Sequence, residues 1–111
     1  MSTIHHRKLV RDLIPQIIEG SGKTCVTRIL PEAEYLAALD AKLQEELNEY
    51  QQDKSMEELA DLLQVMMAVA EARGYDFAQV EAIRQEKAKK RGGFRDRIFL
   101  ESVSDHPNSE F

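Results

Sequence analysis

The sequence predicts an all-α helical bundle, and three observations lead to it. Leu36, Leu39, Leu43, Leu47 and Tyr50 recur at helical spacing; at about 100° per residue they fall within roughly 80° of one another and mark one buried face. The stretch from Leu59 to Ala70 is apolar in nearly every direction, as expected of a helix packed on more than one side. Helix punctuation then divides the chain, with Gly20, Ser55, Gly74, Asp76 and the Gly92–Gly93 pair standing where helices would start or stop. The expected product is three principal helices and a short N-terminal one. Three helices do not readily cover a surface as apolar as residues 59–70, so a four-helix bundle core completed by a second copy of the chain is expected.

In chain order, residues 1–7 form a flexible lead-in. His5 and His6 are adjacent and would diverge on a helix or a strand, which makes them poor chelators. Residues 8–23, KLVRDLIPQIIEGSGK, predict a short helix with Asp12 at its N-cap, Pro15 in the first turn and Gly20 at its end. Ile14, Ile17 and Ile18 give that helix an apolar side, and Lys8 and Arg11 place cations just before it. SGKT matches only the tail of a phosphate-binding loop, because Ile17 stands where the first glycine of G-x-x-x-x-G-K-[ST] is needed. Residues 25–30, CVTRIL, are short and β-branched and predict one extended segment or strand.

Pro31 suits the first turn of the first long helix. Only QQDKS separates that helix from the next, a link short enough to make the two antiparallel neighbours. The second long helix is expected over about Met56 to Arg73, opened by Ser55 and Glu58 in capping-box spacing and closed by Gly74. The third runs from about Phe77 to Arg91, capped by Asp76, with Phe77, Val80 and Ile83 on its buried side. FRDRIFL reads as an extended arm packing back on the bundle. Residues 8–100 are expected to form a single domain and residues 101–111 a flexible tail.

Composition bounds the function. The chain has 111 residues, 42% of them hydrophobic and 32% charged, which excludes a disordered chain. Fifteen Lys and Arg stand against 20 acids, a net charge of −5. That balance disfavours a binder of nucleic acid polymers, though metal ions at an acidic site can still accommodate a nucleotide. Cys25 is the single cysteine, so neither an internal disulfide nor a Cys-rich zinc site can form. No run approaches the roughly 18 apolar residues of a membrane span, and the start lacks a signal-peptide core. A cytoplasmic location is the resulting expectation.

The chemistry concentrates in residues 42–61, KLQEELNEYQQDKSMEELAD. Lys42, Glu46, Glu49 and Asp53 cluster along one flank of the leucine stripe, whereas Glu45 points about 180° away from it, towards water. On the next helix Glu58 and Asp61 lie at i and i+3, on a line that continues through Val65, Ala68 and Val69 into the core. An antiparallel hairpin would bring Glu46 and Glu49 opposite Glu58 and Asp61. Four facing carboxylates repel unless a cation lies between them, and buried charge is costly without compensation. Oxygen-only ligands suit Mg²⁺ or Mn²⁺. The competing reading is solvated charge on Glu-rich faces plus a capping box. The two pairs together, with Lys42 on the same flank, favour a metal site.

EELNE followed by EELAD resembles the paired E-E-x-x-E and E-x-x-D motifs of the MazG-like all-α nucleoside triphosphate pyrophosphohydrolases. KLVRDLIP, Lys42 and the closing KRGGF resemble the phosphoribosyl-ATP pyrophosphohydrolase-like branch, and the resemblance spans about residues 8–100. One departure is the gap of eight residues from Glu49 to Glu58, shorter than in many MazG proteins. The resemblance implies metal ligation by Glu46, Glu49, Glu58 and Asp61, a Mg²⁺ cofactor with Mn²⁺ as substitute, and a homodimer or dimer of dimers. It further implies attack of water on the α-phosphorus of a nucleoside triphosphate, giving monophosphate and pyrophosphate, in the house-cleaning of non-standard or surplus nucleotides. Glu46, Glu49, Lys42 and Glu45 are the candidates for catalysis, with Glu49 or Glu45 as acceptor of the water proton. Lys8, Arg11, Lys42, Lys87 and Arg91 are the candidates for phosphate contact. Hydrolysis of phosphoribosyl-ATP is the same reaction on another substrate, and a catalytically silent helical module that binds a nucleotide or a partner is the alternative from another class. A carboxylate-bridged di-iron bundle fits poorly, because no histidine lies between His6 and His106.

Overall fold

The computed structural model describes residues 2–105. Four helices form: α1 (Ile14–Gly20), α2 (Glu32–Asp53), α3 (Met56–Ala72) and α4 (Phe77–Arg91). No strand occurs among the described residues, so the protein is all-α. The chain divides into two compact units, Met1–Val80 and Glu81–Phe111, and the division falls within α4. The part of the expected tail beyond residue 105 lies outside the described residues.

In the first unit α2 and α3 pack against one another. Their link is tighter than the sequence suggests: α2 continues through Gln51, Gln52 and Asp53, leaving only Lys54 and Ser55 between the helices. Lys54 makes the reversal in the left-handed region at φ +56°, and its amide donates to Tyr50 O at 2.7 Å. The result is an antiparallel hairpin, tied near its open end by Arg73 Nη2 to Asp40 Oδ2 at 3.1 Å. Ser55 caps α3 as expected, its Oγ accepting the Glu58 N–H at 3.2 Å. Gly74, at φ +83°, sits where an L side chain would be strained, and the Tyr75 amide closes the helix end onto Ala70 O at 2.8 Å. Asp76 Oδ1 accepts from the Ala78 amide at 2.9 Å at the start of α4.

The leucine stripe of α2 faces inward, with Leu39 buried and Leu36, Leu43, Leu47 and Tyr50 half-buried. From α3, Val65 and Ala70 are buried and Ala68 and Val69 half-buried. This is a thin core, in which no described side chain is completely enclosed.

Four local expectations are corrected. Residues 25–30 form no strand: Val26 and Ile29 are fully exposed, and an isolated extended segment with no neighbour to accept its backbone hydrogen bonds gains nothing from β-propensity. Leu13, not Asp12, occupies the α1 N-cap, without a side-chain cap bond; a backbone turn from the Ile14 amide to Arg11 O at 3.0 Å starts the helix instead. Ile83 is exposed while Phe77 and Val80 are half-buried, so the apolar side of α4 ends after its first turn. Phe94, Ile98, Phe99 and Leu100 are also exposed, so the apolar side chains of FRDRIFL are not covered as an arm's would be.

Candidate metal centre

The α2–α3 hairpin brings three of the sequence-predicted acids together. Glu46 is on the fourth turn of α2, and Glu58 and Asp61 open α3. A carboxylate oxygen from each lies within 4.8 Å of the other two. In octahedral Mg²⁺ coordination, opposite oxygens stand about 4.2 Å apart, so the group needs only small side-chain shifts to close on an ion. The donor set is all carboxylate, which suits a hard cation.

Two oxygens in this group lack what burial demands. Glu46 is only 7% exposed, and its Oε2 is buried with no hydrogen-bond partner. Glu58 Oε2 is in the same condition. The amide of Glu58 bonds to the Ser55 cap, but its carboxylate does not complete the reciprocal half of a capping box; it stands with Glu46 and Asp61. Burial pushes the Glu58 carboxyl above its ordinary range, and the surrounding carboxylates of Glu49, Asp61, Asp53 and Glu46 add to the shift. A concentration of like charge that raises a neighbour's pKa is what a bound cation would relieve. Glu49 lies outside the three-acid group, although it is near enough to act on Glu58. It forms no ion pair among the described residues.

Cations rim the acids. Lys42 Nζ lies 3.2 Å from Glu46 Oε1 and 3.4 Å from Glu45 Oε1, one helical turn away in each case. Lys8 Nζ reaches the same Glu45 Oε1 at 3.3 Å from the N-terminal segment. Arg11 Nη2 donates to Asp61 Oδ1 at 2.7 Å. Glu45 is therefore not the solvated acid that its angle on the helix suggests. It is half-buried because the segment carrying Lys8 lies over that side of α2, where Arg7, Lys8 and Leu9 line a cleft of about 240 Å³ with Ala38, Lys42 and Glu45. Burial opposes ionisation of Glu45, but the hydrogen bond and charge of Lys8 together with Lys42 outweigh it and hold its pKa below the ordinary range.

The pairing of Lys8 and Arg11 with these acids was only half visible in the sequence. Their position before α1 marked them as projecting cations, but contacts 37 and 50 residues away leave no local pattern. Lys87 and Arg91 are exposed, one turn apart on α4, and belong to the second unit. Arg91 borders a shallow cleft of about 390 Å³ there, with Arg95 and Arg97.

Fold and site together define an all-α protein with a carboxylate cluster set between two antiparallel helices and rimmed by lysine and arginine. No family model and no solved structure matches the chain. A stretch of 42 residues, 38% of this chain, is 60% identical to a protein of Mycolicibacterium smegmatis described as uncharacterized, and spans 43% of that protein. No helix among the described residues is long and apolar enough to cross a membrane.

Proposed function

We propose that the protein is a divalent-cation-dependent nucleoside triphosphate pyrophosphohydrolase of the MazG-like kind, acting in the house-cleaning of nucleotides. The observation that carries this reading is the Glu46–Glu58–Asp61 group, with two buried carboxylate oxygens left without partners. Glu46, Glu58 and Asp61 would hold Mg²⁺ or Mn²⁺, and Glu49, the fourth acid of the motif pair, is the nearby candidate for an additional ligand. A cation held there supplies charge neutralisation for a triphosphate and for the leaving pyrophosphate.

The chain's own groups divide the remaining work. Water forms a new bond to the α-phosphorus as the bond from that phosphorus to the bridging oxygen breaks, and pyrophosphate departs with the electron pair. The water proton passes to a carboxylate. Glu49, which bears no lysine or arginine among the described residues, suits that role better than Glu45, which already holds two ammonium groups. Arg11 and Lys42 stand against the acids and can shift onto phosphate oxygens.

The same reading includes a homodimer. Met56, Leu59, Leu63, Met66 and Met67 repeat at helical spacing on α3 and are exposed in the single chain, an apolar face of the kind that bundles bury.

Product analysis tests the proposal. Purified protein with Mg²⁺ and a panel of ribo- and deoxyribonucleoside triphosphates should release monophosphate and pyrophosphate. Release of diphosphate and inorganic phosphate would refute attack at the α-phosphorus. Turnover of phosphoribosyl-ATP alone would move the assignment to that substrate, and no turnover on any substrate would leave the silent binding module.

A further inference from the structure

The motif acid Glu45 is left without a role if Glu46, Glu58 and Asp61 form the cation site. It lies outside that group, and its Oε1 is shared by Lys42 at 3.4 Å and Lys8 at 3.3 Å. Lys42 in turn sits 3.2 Å from Glu46 Oε1. The four side chains form one line, Lys8–Glu45–Lys42–Glu46, running from the N-terminal segment across α2 to the buried carboxylate. At its far end Glu46 Oε2 is buried and free of any hydrogen bond.

We infer that Glu45 is a positioning residue for the cation site: it holds the Lys42 ammonium on one oxygen of Glu46 and so leaves the other oxygen available to an ion. The inference rests on the metal-site reading above. Its physical basis is the donor count of lysine. An ammonium has three N–H donors, and the Lys42 side chain is 17% exposed, so few of those donors can be satisfied by water. With Glu45 in place, one donor is hydrogen-bonded to Glu45 while the ammonium stands as an ion pair beside Glu46. Without Glu45, the nearest remaining carboxylate is Glu46, and the ammonium would close on both of its oxygens, competing directly with the cation. Lys8 is the outer anchor that keeps Glu45 turned towards Lys42. A ligand or base role for Glu45 is the weaker alternative, because the oxygen nearest the network already accepts from two ammonium groups.

Metal affinity of the 111-residue chain, measured by calorimetric titration with Mn²⁺ alone, tests this without requiring turnover. Glu45→Gln is expected to weaken Mn²⁺ binding about tenfold, the range for loss of an outer partner of a metal ligand. Glu57→Gln removes an exposed acid from the first turn of α3 and should leave the affinity within about twofold, separating positioning from general charge. Lys8→Met discriminates by sign. Removing a cation near an acidic site strengthens cation binding if only the field matters, whereas loss of the anchor weakens it. Weaker binding in Lys8→Met, by a smaller factor than in Glu45→Gln, supports the inference; tighter binding overturns it. Equal affinity in Glu45→Gln and wild type overturns the inference alone, and a wild-type chain that binds no Mn²⁺ overturns the metal-site reading on which it rests. With turnover as a further readout, saturating Mg²⁺ should restore kcat in Glu45→Gln. A kcat that stays low at saturation would make Glu45 a base and overturn the positioning role.

Discussion

α2 is the polar helix of the central pair, yet it buries Glu46 to 7% exposure, while the apolar α3 leaves Leu59 and Leu63 49% and 48% exposed. Packing two helices in a hairpin buries whichever residues face the seam, and the seam takes only one side of each. On α2 the seam includes a carboxylate; on α3 it includes Val65, Ala68 and Val69 and omits a stripe running from Met56 through Leu59 and Leu63 to Met66. Both are unmet demands of the isolated chain. A buried carboxylate oxygen without a partner calls for a cation, and an exposed apolar stripe calls for another apolar surface. Polarity thus marks the candidate chemical site on one helix, and exposed hydrophobicity marks the candidate assembly site on the other.

The largest expected effect comes from removing the charge that α2 buries. Glu46→Gln, or Asp61→Asn on the facing helix, should lower Mg²⁺-dependent hydrolysis at least about a hundredfold, beyond the loss expected of an outer partner, with helical content unchanged by circular dichroism. Activity retained in both variants would separate the buried carboxylate from the chemistry. The corresponding test on α3 is the pair Leu59→Glu with Leu63→Glu. Sedimentation at micromolar concentration should show wild type as a dimer and the variant as a monomer. A monomeric wild type would mean that the exposed stripe is not an interface between copies.

The fold was legible wherever the signal was local. The leucine period on α2, the Ser55 cap, Gly74 and Asp76 each act through neighbours within one turn, and the helices end where those residues stand. The acid site was legible to the extent that hairpin geometry follows from a short link: Glu46, Glu58 and Asp61 meet, while Glu49 stands just outside. The surroundings of Glu45 were not legible. A helical wheel records the angle of a residue to its own helix, and Glu45 is covered by Lys8, 37 residues earlier in the chain. β-propensity at residues 25–30 failed for the complementary reason, since a strand requires a second strand and none occurs among the described residues.

A smaller effect probes the joint between the helices. Ser55→Ala removes the oxygen that accepts the Glu58 amide and should cost about 1 kcal/mol, read as a drop of several degrees in melting temperature. An unchanged melting temperature would show that the hairpin link, not the cap, fixes the start of α3.

The smallest effect distinguishes Glu58 from Glu45 by pH. Burial and then neighbouring carboxylates raise the Glu58 pKa in the folded chain, so the metal-free fold binds that proton more tightly than the unfolded chain does. Its contribution is fully present below the ordinary glutamate value and is lost as pH rises through the elevated folded value. Glu45 has the opposite sign: Lys8 and Lys42 hold its pKa down, so its contribution is present above the ordinary value and fades as pH falls through the lowered one. The two windows do not overlap. Melting curves of the metal-free chain in chelator should therefore fall as pH rises just above the ordinary glutamate range, and Glu58→Gln should flatten that limb while leaving the acid limb intact. Glu45→Gln should flatten only the acid limb. If Glu58→Gln keeps the wild-type slope above the ordinary range, the buried carboxylates of α2 and α3 are not in electrostatic conflict, and the case for a cation between them loses its energetic ground.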